Sequence, residues 1–225
     1  MTPAALAWIE AADLVIGYRT YLEQIAELLQ GKETLSYPMT TEVARAQMAI
    51  DAARAGRNVV MISGGDPGVY GMAGPVLEIA AQRGFEVRIE PGITAATAAA
   101  SRLGAPLMQD VALISLSDRL TPWPTIMKRV RLAAEADLVL VFYNPSSQGR
   151  VTQINEVGAA LLTILPGTTP VGIVRNAFRN DETVQVTDLQ HFLEYPIDMA
   201  TTLIVGNRAT KVCNGRMITP RGYRL

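Results

Sequence analysis

Apolar and polar positions divide the chain into short apolar runs and longer, alanine-rich stretches in which apolar residues recur with helical spacing. The short runs predict buried strands, at 14–16, 58–62, 85–89, 111–115, 138–143 and 170–174. The longer stretches predict helices, at 3–10, 18–29, 94–103, 124–134 and 151–165, with one from Thr40 or Thr41 to about 54 and one after Gly71. Strands that alternate with helices are typical of α/β proteins with mainly parallel pairing, here in the first half of the chain.

The last part of the chain follows a different pattern. Its apolar runs are short, rich in β-branched residues and separated by turn residues, at 183–186, 201–205 and 212–218. Such runs predict antiparallel strands added to the second sheet. Because the composition changes after Gly104-Ala105-Pro106, we place the domain boundary near Met108, between residues 1–107 and 108–225.

Composition and charge exclude several classes of protein. The chain has 225 residues, with 20 Lys and Arg against 21 Asp and Glu, and this balance disfavours a nucleic-acid-binding protein. With 49% hydrophobic and 18% charged residues, the chain is too apolar for disorder. One cysteine, Cys213, and one histidine, His191, exclude a disulfide framework and leave little for a metal site, so we expect none. The apolar runs are shorter than the ~20 residues of a membrane span, and we expect a cytoplasmic protein.

The strongest local signal is the segment SGGDPGVYG at 63–71, which follows a predicted strand and precedes a predicted helix. Gly64 and Gly65 allow backbone torsions and a close approach of a ligand that a Cβ would forbid. Open α/β sheets usually bind ligands at such a place, at the carboxyl end of a strand. The alternative is a tight turn in which Asp66 caps the helix.

Three further segments follow predicted strands. EPGITAATAAA, at 90–100, places Gly92 and Thr94 at a helix entrance with free N–H groups, or it is an ordinary turn with a threonine cap. VFYNPSSQGR, at 141–150, offers an aromatic face, an amide, two hydroxyls and an arginine, or it is a solvated turn. SLSDRLTPW, at 115–123, combines donors, a cation and aromatic surface, a mixture that suits a large planar polycarboxylate.

Several motifs of the chain together resemble those of the tetrapyrrole methylase family. In chain order they are SGGDPGVYG, PGITAATAAASRLGAPL, ISLSDRLTPW, FYNPSSQGR, VGIVRNA, TTLIVGN and TPRGY. These motifs are most similar to those of the members that methylate C-17 of precorrin-3B or cobalt-factor III. The resemblance implies two αβα sandwich domains, the first with a mainly parallel sheet and the second with a mixed sheet. It also implies a homodimer that binds S-adenosylmethionine in folded form between its domains and methylates a tetrapyrrole of cobalamin biosynthesis, with ring contraction.

Site residues are carried over motif by motif. The cofactor contacts that the resemblance implies are Gly64, Gly65, Asp66, Val69, Thr94, Ala95, Tyr143, Asn144, Asn176, Ala177 and Thr201. Ring contraction needs proton transfers, for which Asp118 and Ser117 are our candidates as general acid or base. Arg119 and Arg150 are the expected partners of substrate carboxylates, with Ser115 beside them.

One feature departs from the family pattern. Family members open with a strand and a glycine-proline-glycine loop ahead of the first helix, whereas this sequence starts at Met1-Thr2-Pro3, inside that helix. We therefore expect the first strand of the first sheet to be missing, either because the true start lies upstream or because the strand is lost. Substrate binding and the stability of the first domain depend on that strand.

Two other functions remain open at this point. The first is methylation at another ring position, or of a modified histidine or ribosomal RNA, on the same fold, although the charge balance disfavours RNA. The second is a non-catalytic cofactor-binding protein, which the loss of the first strand makes plausible.

Overall fold

The computed structural model describes residues 1–38, 41–147 and 152–224. The chain divides into two compact units, Met1–Thr94 and Ala95–Leu225. This division lies before the boundary that we expected at residues 107 and 108. The reason is that the helix Ala95–Leu103 packs its alanines against the sheet of the second unit.

The first unit contains a parallel sheet of three strands, in the order β2-β1-β3. Its strands are β1 (Leu14–Tyr18), β2 (Glu33–Tyr37) and β3 (Val59–Met61). Its helices are α1 (Pro3–Ala11), α2 (Arg19–Glu23), α3 (Glu42–Arg54) and α4 (Ala73–Gln82), with a 3₁₀ turn at Ala26–Leu29. The register aligns Ile16 of β1 with Leu35 on one side and Met61 on the other.

Helices cover both faces of this sheet, as the αβα prediction requires. Along β1, Val15 packs with Ile9 of α1, whereas Leu14 and Ile16 point to the other face and pack with Ala49 of α3. The entrance of α1 follows its sequence signal, because the Thr2 hydroxyl accepts a hydrogen bond from the Ala5 amide and proline occupies the first turn.

Three details of the first unit differ from the sequence-based prediction. The helix expected at 18–29 is broken into α2 and the 3₁₀ turn, and β2 was not expected. The strand expected at 85–89 does not form, because no strand among the described residues pairs with it. Thr41 precedes α3 as its N-cap residue, and Thr40 lies outside the described residues.

The second unit contains a mixed sheet of five strands, in the order β5-β6-β9-β7-β8. Its helices are α5 (Ala95–Leu103), α6 (Trp123–Glu135) and α7 (Gln153–Leu162). Its strands are β4 (Gly104–Ala105), β5 (Val111–Ser115), β6 (Val139–Tyr143), β7 (Pro170–Arg175), β8 (Thr183–Asp188), β9 (Thr201–Val205), β10 (Lys211–Cys213) and β11 (Arg216–Ile218). The helices α6 and α7 cover one face of the five-stranded sheet, and α5 covers the other.

The strands β8 and β9 pair antiparallel to β7, which confirms that part of the prediction. The prediction that 212–218 joins the same sheet was wrong. Asn214 and Gly215 both have a positive φ, so they reverse the chain between β10 and β11, and β11 then pairs with β4 in a separate small sheet. Across the described residues, every helix is too short or too polar to span a membrane.

Candidate functional site

In the first unit, the glycine-rich loop at 63–71 is fixed by its own backbone. The Ser63 hydroxyl accepts a hydrogen bond from the Met72 amide at 3.1 Å, and the Pro67 carbonyl accepts one from Ala73 at 3.0 Å. Gly65 has a φ of 77°, which favours glycine. The loop therefore leads from β3 into α4 as an ordered turn with its main chain accessible at Gly65, which is exposed.

The Asp66 carboxylate joins this loop to the turn before α5. One oxygen accepts from the Gly68 amide at 2.8 Å, and the other accepts from the Gly92 amide at 2.9 Å. The two turns also touch directly, since a Cβ built on Gly92 would lie 2.0 Å from the Gly65 carbonyl oxygen. Asp66 thus links two turns and does not cap α4, whose N-cap residue is Met72, so the capping alternative was wrong. Its role toward a cofactor stays a prediction.

Sequence reasoning missed the side chain that packs against the loop. A Cβ on Gly64 would lie 2.4 Å from the ring of Tyr21, so the ring rests on the glycine backbone. Tyr21 belongs to α2, far from the loop in sequence, and only its aromatic character next to β1 hinted at a role. Tyr18 contacts the same ring edge-on, with 5.6 Å between ring centroids.

In the second unit, most of the predicted residues lie at one end of the five-stranded sheet. Ser115 at the end of β5 pairs with Tyr143 at the end of β6, and Arg175 at the end of β7 pairs with Thr201 at the start of β9. Because β6 and β7 both run antiparallel to β9, these ends meet at the same edge of the sheet. Polar groups from four neighbouring strands are therefore brought together there.

Two asparagines continue this edge in the same conformation. Asn144 follows β6 and Asn176 follows β7, and each has a φ of 51°. Asparagine tolerates this left-handed region better than most residues. The Asn144 amide donates to the Ser115 hydroxyl at 3.0 Å, and the Asn176 backbone amide donates to the Ala200 carbonyl at 3.1 Å. Ala177 follows directly, so the two strand exits have matching geometry at the predicted positions.

Tyr143 has a second function at this edge. Its phenolic oxygen accepts a hydrogen bond from the Ala96 amide at 3.1 Å, and that amide is one of the free N–H groups in the first turn of α5. Ala95 is the first residue of α5, and Thr94 is the last residue of the first unit. The expected helix entrance is therefore present, and a tyrosine from β6 satisfies one of its donors.

Asp198 stabilises this end of the sheet through an ion pair and hydrogen bonds, and sequence reasoning missed it. Its carboxylate pairs with Arg175 at 2.7 Å and accepts from the Thr201 hydroxyl and the Ala200 amide, both at 2.9 Å. Burial alone would raise the pKa of the Asp198 carboxyl, but these hydrogen bonds and the Arg175 charge outweigh burial and lower it. The only sequence signal was an aspartate shortly before two threonines.

The candidate acid–base residues lie in the loop after β5. Ser117 donates its backbone amide to the Ser115 hydroxyl at 3.3 Å, and Gln153 of α7 donates to Asp118 at 3.4 Å. Asp118 is half-buried and Arg119 is exposed, so a substrate is able to reach both side chains. Arg150, the other predicted partner of substrate carboxylates, lies outside the described residues.

Each unit offers its own set of candidate groups. In the first unit these are main-chain groups of glycine-rich turns, and in the second they are amides and hydroxyls at one end of the five-stranded sheet. The Tyr21 ring at Gly64 and the Gly65 carbonyl at Gly92 leave no room for side chains at these two positions, so each turn presents main-chain groups there. Over the described residues, no cluster of three or more His, Cys, Asp or Glu is placed to hold a metal ion.

Comparisons with known proteins agree on one family. The model of the Tetrapyrrole (Corrin/Porphyrin) Methylases matches residues 1–193. A protein of Salmonella typhimurium named "Probable cobalt-factor III C(17)-methyltransferase" is 47% identical over 100% of this chain and 94% of its own length. The "Cobalt-factor III methyltransferase" of Priestia megaterium is also 47% identical, but this chain spans only 43% of it.

A solved structure shares the architecture. The crystal structure of the methyltransferase CobJ superposes with a TM-score of 0.91 and is 35% identical, over 98% of this chain and 93% of that one. The predicted α/β class, with a parallel sheet and a mixed sheet, is thereby confirmed.

Proposed function

Because the chain belongs to the tetrapyrrole methylase family, whose members use S-adenosylmethionine, we propose that it transfers a methyl group from this cofactor to C-17 of a corrin precursor. The substrate is precorrin-3B or cobalt-factor III, and ring contraction accompanies the transfer. The observation that carries this proposal is the 47% identity to the Salmonella protein over almost the full length of both chains. It supports the C-17 reaction over the alternatives of another ring position and of a non-catalytic protein.

S-adenosylmethionine supplies an activated methyl group on a sulfonium, so the protein chiefly needs to place the reactants and exclude water. In the first unit, the backbone of Gly64, Gly65 and Asp66, with Val69, holds the cofactor through main-chain groups. The Asp66 carboxylate keeps that backbone in position, since both of its oxygens already accept backbone hydrogen bonds.

In the second unit, the sheet edge supplies the remaining cofactor contacts, from Tyr143, Asn144, Asn176, Ala177 and Thr201. The Asn144–Ser115 hydrogen bond orients the amide, and the ion pair of Asp198 with Arg175 holds the strand ends together. Thr94 and Ala95 contribute the start of α5. These groups bind and orient, and none of them needs to change its protonation state.

Residues of the loop after β5 carry out the proton transfer during ring contraction. Asp118 accepts or returns a proton at its carboxylate, Gln153 orients that carboxylate, and the Ser117 hydroxyl donates to the same substrate oxygen. Arg119 and Arg150 bind the substrate carboxylates, since guanidinium groups pair with carboxylates in a bidentate fashion. Ser115 acts beside them through its hydroxyl.

The test incubates the purified chain with S-adenosylmethionine and either precorrin-3B or cobalt-factor III, and follows mass and absorbance. The proposal expects the mass of one methyl group together with the spectrum of the contracted ring. A methyl gain without that spectrum would contradict the C-17 assignment, and binding without turnover would indicate the non-catalytic alternative. Asp118→Asn should slow contraction by about 10²-fold or more while it leaves the affinity for S-adenosylhomocysteine unchanged. Asp110→Asn, just before β5, is the matched control.

Two properties of the whole protein belong to the same proposal. It works as a homodimer, and it works in the cytoplasm. Light scattering over a range of protein concentrations tests the first, and a monomer at all concentrations would contradict it. Fractionation of the producing cells tests the second.

A further inference from the structure

Helix α5 contacts the chain at the ends of β6 and β7, the two strands that lead into predicted cofactor contacts of the second unit. At its first turn, the Ala96 amide donates to the phenolic oxygen of Tyr143, the last residue of β6. At its last turn, Arg102 binds Glu182 in the connection from β7 to β8, residues 176–182. We call this connection the exit loop. Because buried alanines pack α5 against the sheet, the helix is a rigid support for both places.

The exit loop has a backbone conformation that needs support. Asn176, Phe178 and Asp181 have positive φ values of 51°, 59° and 60°. Asparagine and aspartate tolerate this left-handed region, whereas a bulky residue such as phenylalanine rarely adopts it. Such a conformation persists only where surrounding contacts hold it. Relaxation of the backbone at Phe178 would move the two residues directly before it, Asn176 and Ala177.

Glu182 provides the contact that holds this backbone, and Arg102 fixes Glu182. One carboxylate oxygen of Glu182 accepts a hydrogen bond from the Phe178 amide at 2.6 Å. The other accepts from Nε and Nη2 of Arg102, at 2.8 Å and 2.5 Å. The Arg102 guanidinium also lies over the Phe178 ring, 5.1 Å from its centroid. The hydrogen bond from the Phe178 amide, together with Arg102, lowers the pKa of the Glu182 carboxyl, so the acceptor is charged at neutral pH.

We propose that Arg102 and Glu182 are positioning residues for the cofactor, which hold the exit loop in the conformation that presents Asn176 and Ala177. They act through the Phe178 amide, which Glu182 binds and which directly follows Ala177 in the chain. This inference rests on the proposed function, in which Asn176 and Ala177 contact S-adenosylmethionine. Helix α5 then supports one strand end at its first turn and another at its last turn.

A second ion pair of the same unit provides a matched comparison. Arg208 pairs with Asp137 at 3.2 Å, and its side chain is 49% exposed, against 43% for Arg102. Asp137 has a φ of 59°, the same value as Phe178. It lies before the start of β6, at the opposite end of the five-stranded sheet from the predicted contacts. Arg208→Ala therefore removes a similar ion pair beside a left-handed residue, away from the candidate site.

The experiment titrates S-adenosylhomocysteine into the full chain and its variants by calorimetry. Glu182→Ala should weaken binding by about tenfold, because the exit loop spends less time in the binding-competent conformation. Glu182→Gln keeps an oxygen for the Phe178 amide and should recover part of that loss. Arg102→Ala combined with Glu182→Ala should bind no more weakly than Glu182→Ala alone, since both side chains act through the same amide. Arg208→Ala should bind as the unmodified chain does.

Two further readouts separate positioning from a general loss of stability. The calorimetric stoichiometry of Glu182→Ala should equal that of the unmodified chain, because a chain that merely unfolds loses binding sites and keeps the affinity of those that remain. In the free chain, amide hydrogen exchange at Phe178 should become about tenfold faster in Glu182→Ala and stay unchanged in Arg208→Ala. The exchange measurement needs no ligand, so it does not depend on the proposed function.

Several results would overturn the inference. Equal affinity of Glu182→Ala and Arg208→Ala would show that the exit loop has no part in binding, and a lower stoichiometry at unchanged affinity would assign the ion pair to stability alone. A double variant that binds more weakly than Glu182→Ala would show that Arg102 acts by another route, and unchanged exchange at Phe178 would show that Glu182 does not hold the loop. Absence of binding in every chain, the unmodified one included, would contradict the proposed function and overturn the inference with it.

Discussion

At the scale of single residues, the contact between Gly92 and Gly65 is the tightest constraint on the glycine-rich loop. A Cβ at position 92 would lie 2.0 Å from the Gly65 carbonyl oxygen, so the two turns have to separate. We expect Gly92→Ala to lower the free energy of unfolding by about 1–3 kcal/mol. It should also weaken S-adenosylhomocysteine binding by at least tenfold, because the loop backbone moves. Urea unfolding and calorimetric titration measure the two effects.

Gly74 provides the matched control for that substitution. It lies in α4, and a Cβ there would meet nothing within 4 Å. Gly74→Ala should leave affinity unchanged and raise stability by roughly 0.5–1 kcal/mol, since alanine favours helix more than glycine does. If the two alanine variants bound the ligand equally well, the packed turns would have no part in binding.

Asn144 combines a strained backbone with a side-chain hydrogen bond, and substitutions separate the two. Asn144→Gly keeps the left-handed backbone and loses the side-chain amide, which donates to Ser115. Asn144→Ala loses the amide and adds a left-handed strain of about 1–2 kcal/mol. We therefore expect the alanine variant to be less stable than the glycine variant by that amount in urea unfolding, and both to bind S-adenosylhomocysteine more weakly than the unmodified chain.

Asn214 serves as the control for the effect of the left-handed backbone conformation, because it has a φ of 50° in the turn between β10 and β11. Asn214→Gly should leave ligand affinity unchanged, because this turn lies outside the predicted site. Equal stability of Asn144→Gly and Asn144→Ala would mean that the backbone at 144 relaxes, and the argument from its conformation would then fail.

At the scale of elements, Asp198 ties the end of β7 to the start of β9, and this link depends on pH. The hydrogen bonds that outweigh burial lower the pKa of the Asp198 carboxyl in the folded protein. A lowered carboxyl pKa adds stability above the unfolded pKa of about 3.9, and that stability is lost as the pH falls through the folded value. Asp198→Asn should therefore melt a few degrees lower than the unmodified chain between pH 5 and 8, and the difference should shrink below about pH 4.

Glu135→Gln serves as the comparison, because Glu135 is exposed at the end of α6 in the same unit. Its melting temperature should follow that of the unmodified chain across the same range. A melting difference for Asp198→Asn that persisted unchanged at pH 3 would show that the effect does not come from the carboxylate charge.

Sequence predicts several strands of the second unit correctly, for two reasons. β6, β7 and β9 lie where expected, since helices cover both faces of their sheet and force continuous apolar runs. The more exposed strands β5 and β8 also lie where expected, since β-branched residues recur in both. The sequence-based prediction fails where strand formation depends on a neighbouring strand or on a turn. The run at 85–89 has strand composition but no neighbour to pair with, and 212–218 turns back because Asn214 and Gly215 reverse the chain.

The candidate site shows the same division. Turn residues such as Gly65, Asn144 and Asn176 could be found from sequence, because a strand exit with an unusual φ selects glycine or asparagine. Tyr21 and Asp198 could not, because their roles arise from contacts across the fold that leave no local pattern. Sequence therefore located the turns of the candidate site and missed the side chains that pack against them, and the binding roles of these residues stay predictions.

At the scale of the whole molecule, the two units differ in how completely their sheets are built. The second unit has a five-stranded sheet and a core that includes Phe142, Leu161 and Phe192, all almost fully buried. The first unit has three strands and an open edge at β3. Because the free energy of folding grows with the apolar area buried, the first unit should be the less stable of the two.

The two tryptophans allow this difference to be measured, since Trp8 lies in the first unit and Trp123 in the second. We expect Trp123→Phe, which leaves Trp8 as reporter, to show a urea midpoint lower by about 0.5–1 M than Trp8→Phe, given typical slopes of 1–3 kcal/mol per M. Circular dichroism on both variants controls for the loss of either ring, because Trp8 also stacks against Arg88. Coincident fluorescence midpoints would contradict the expectation.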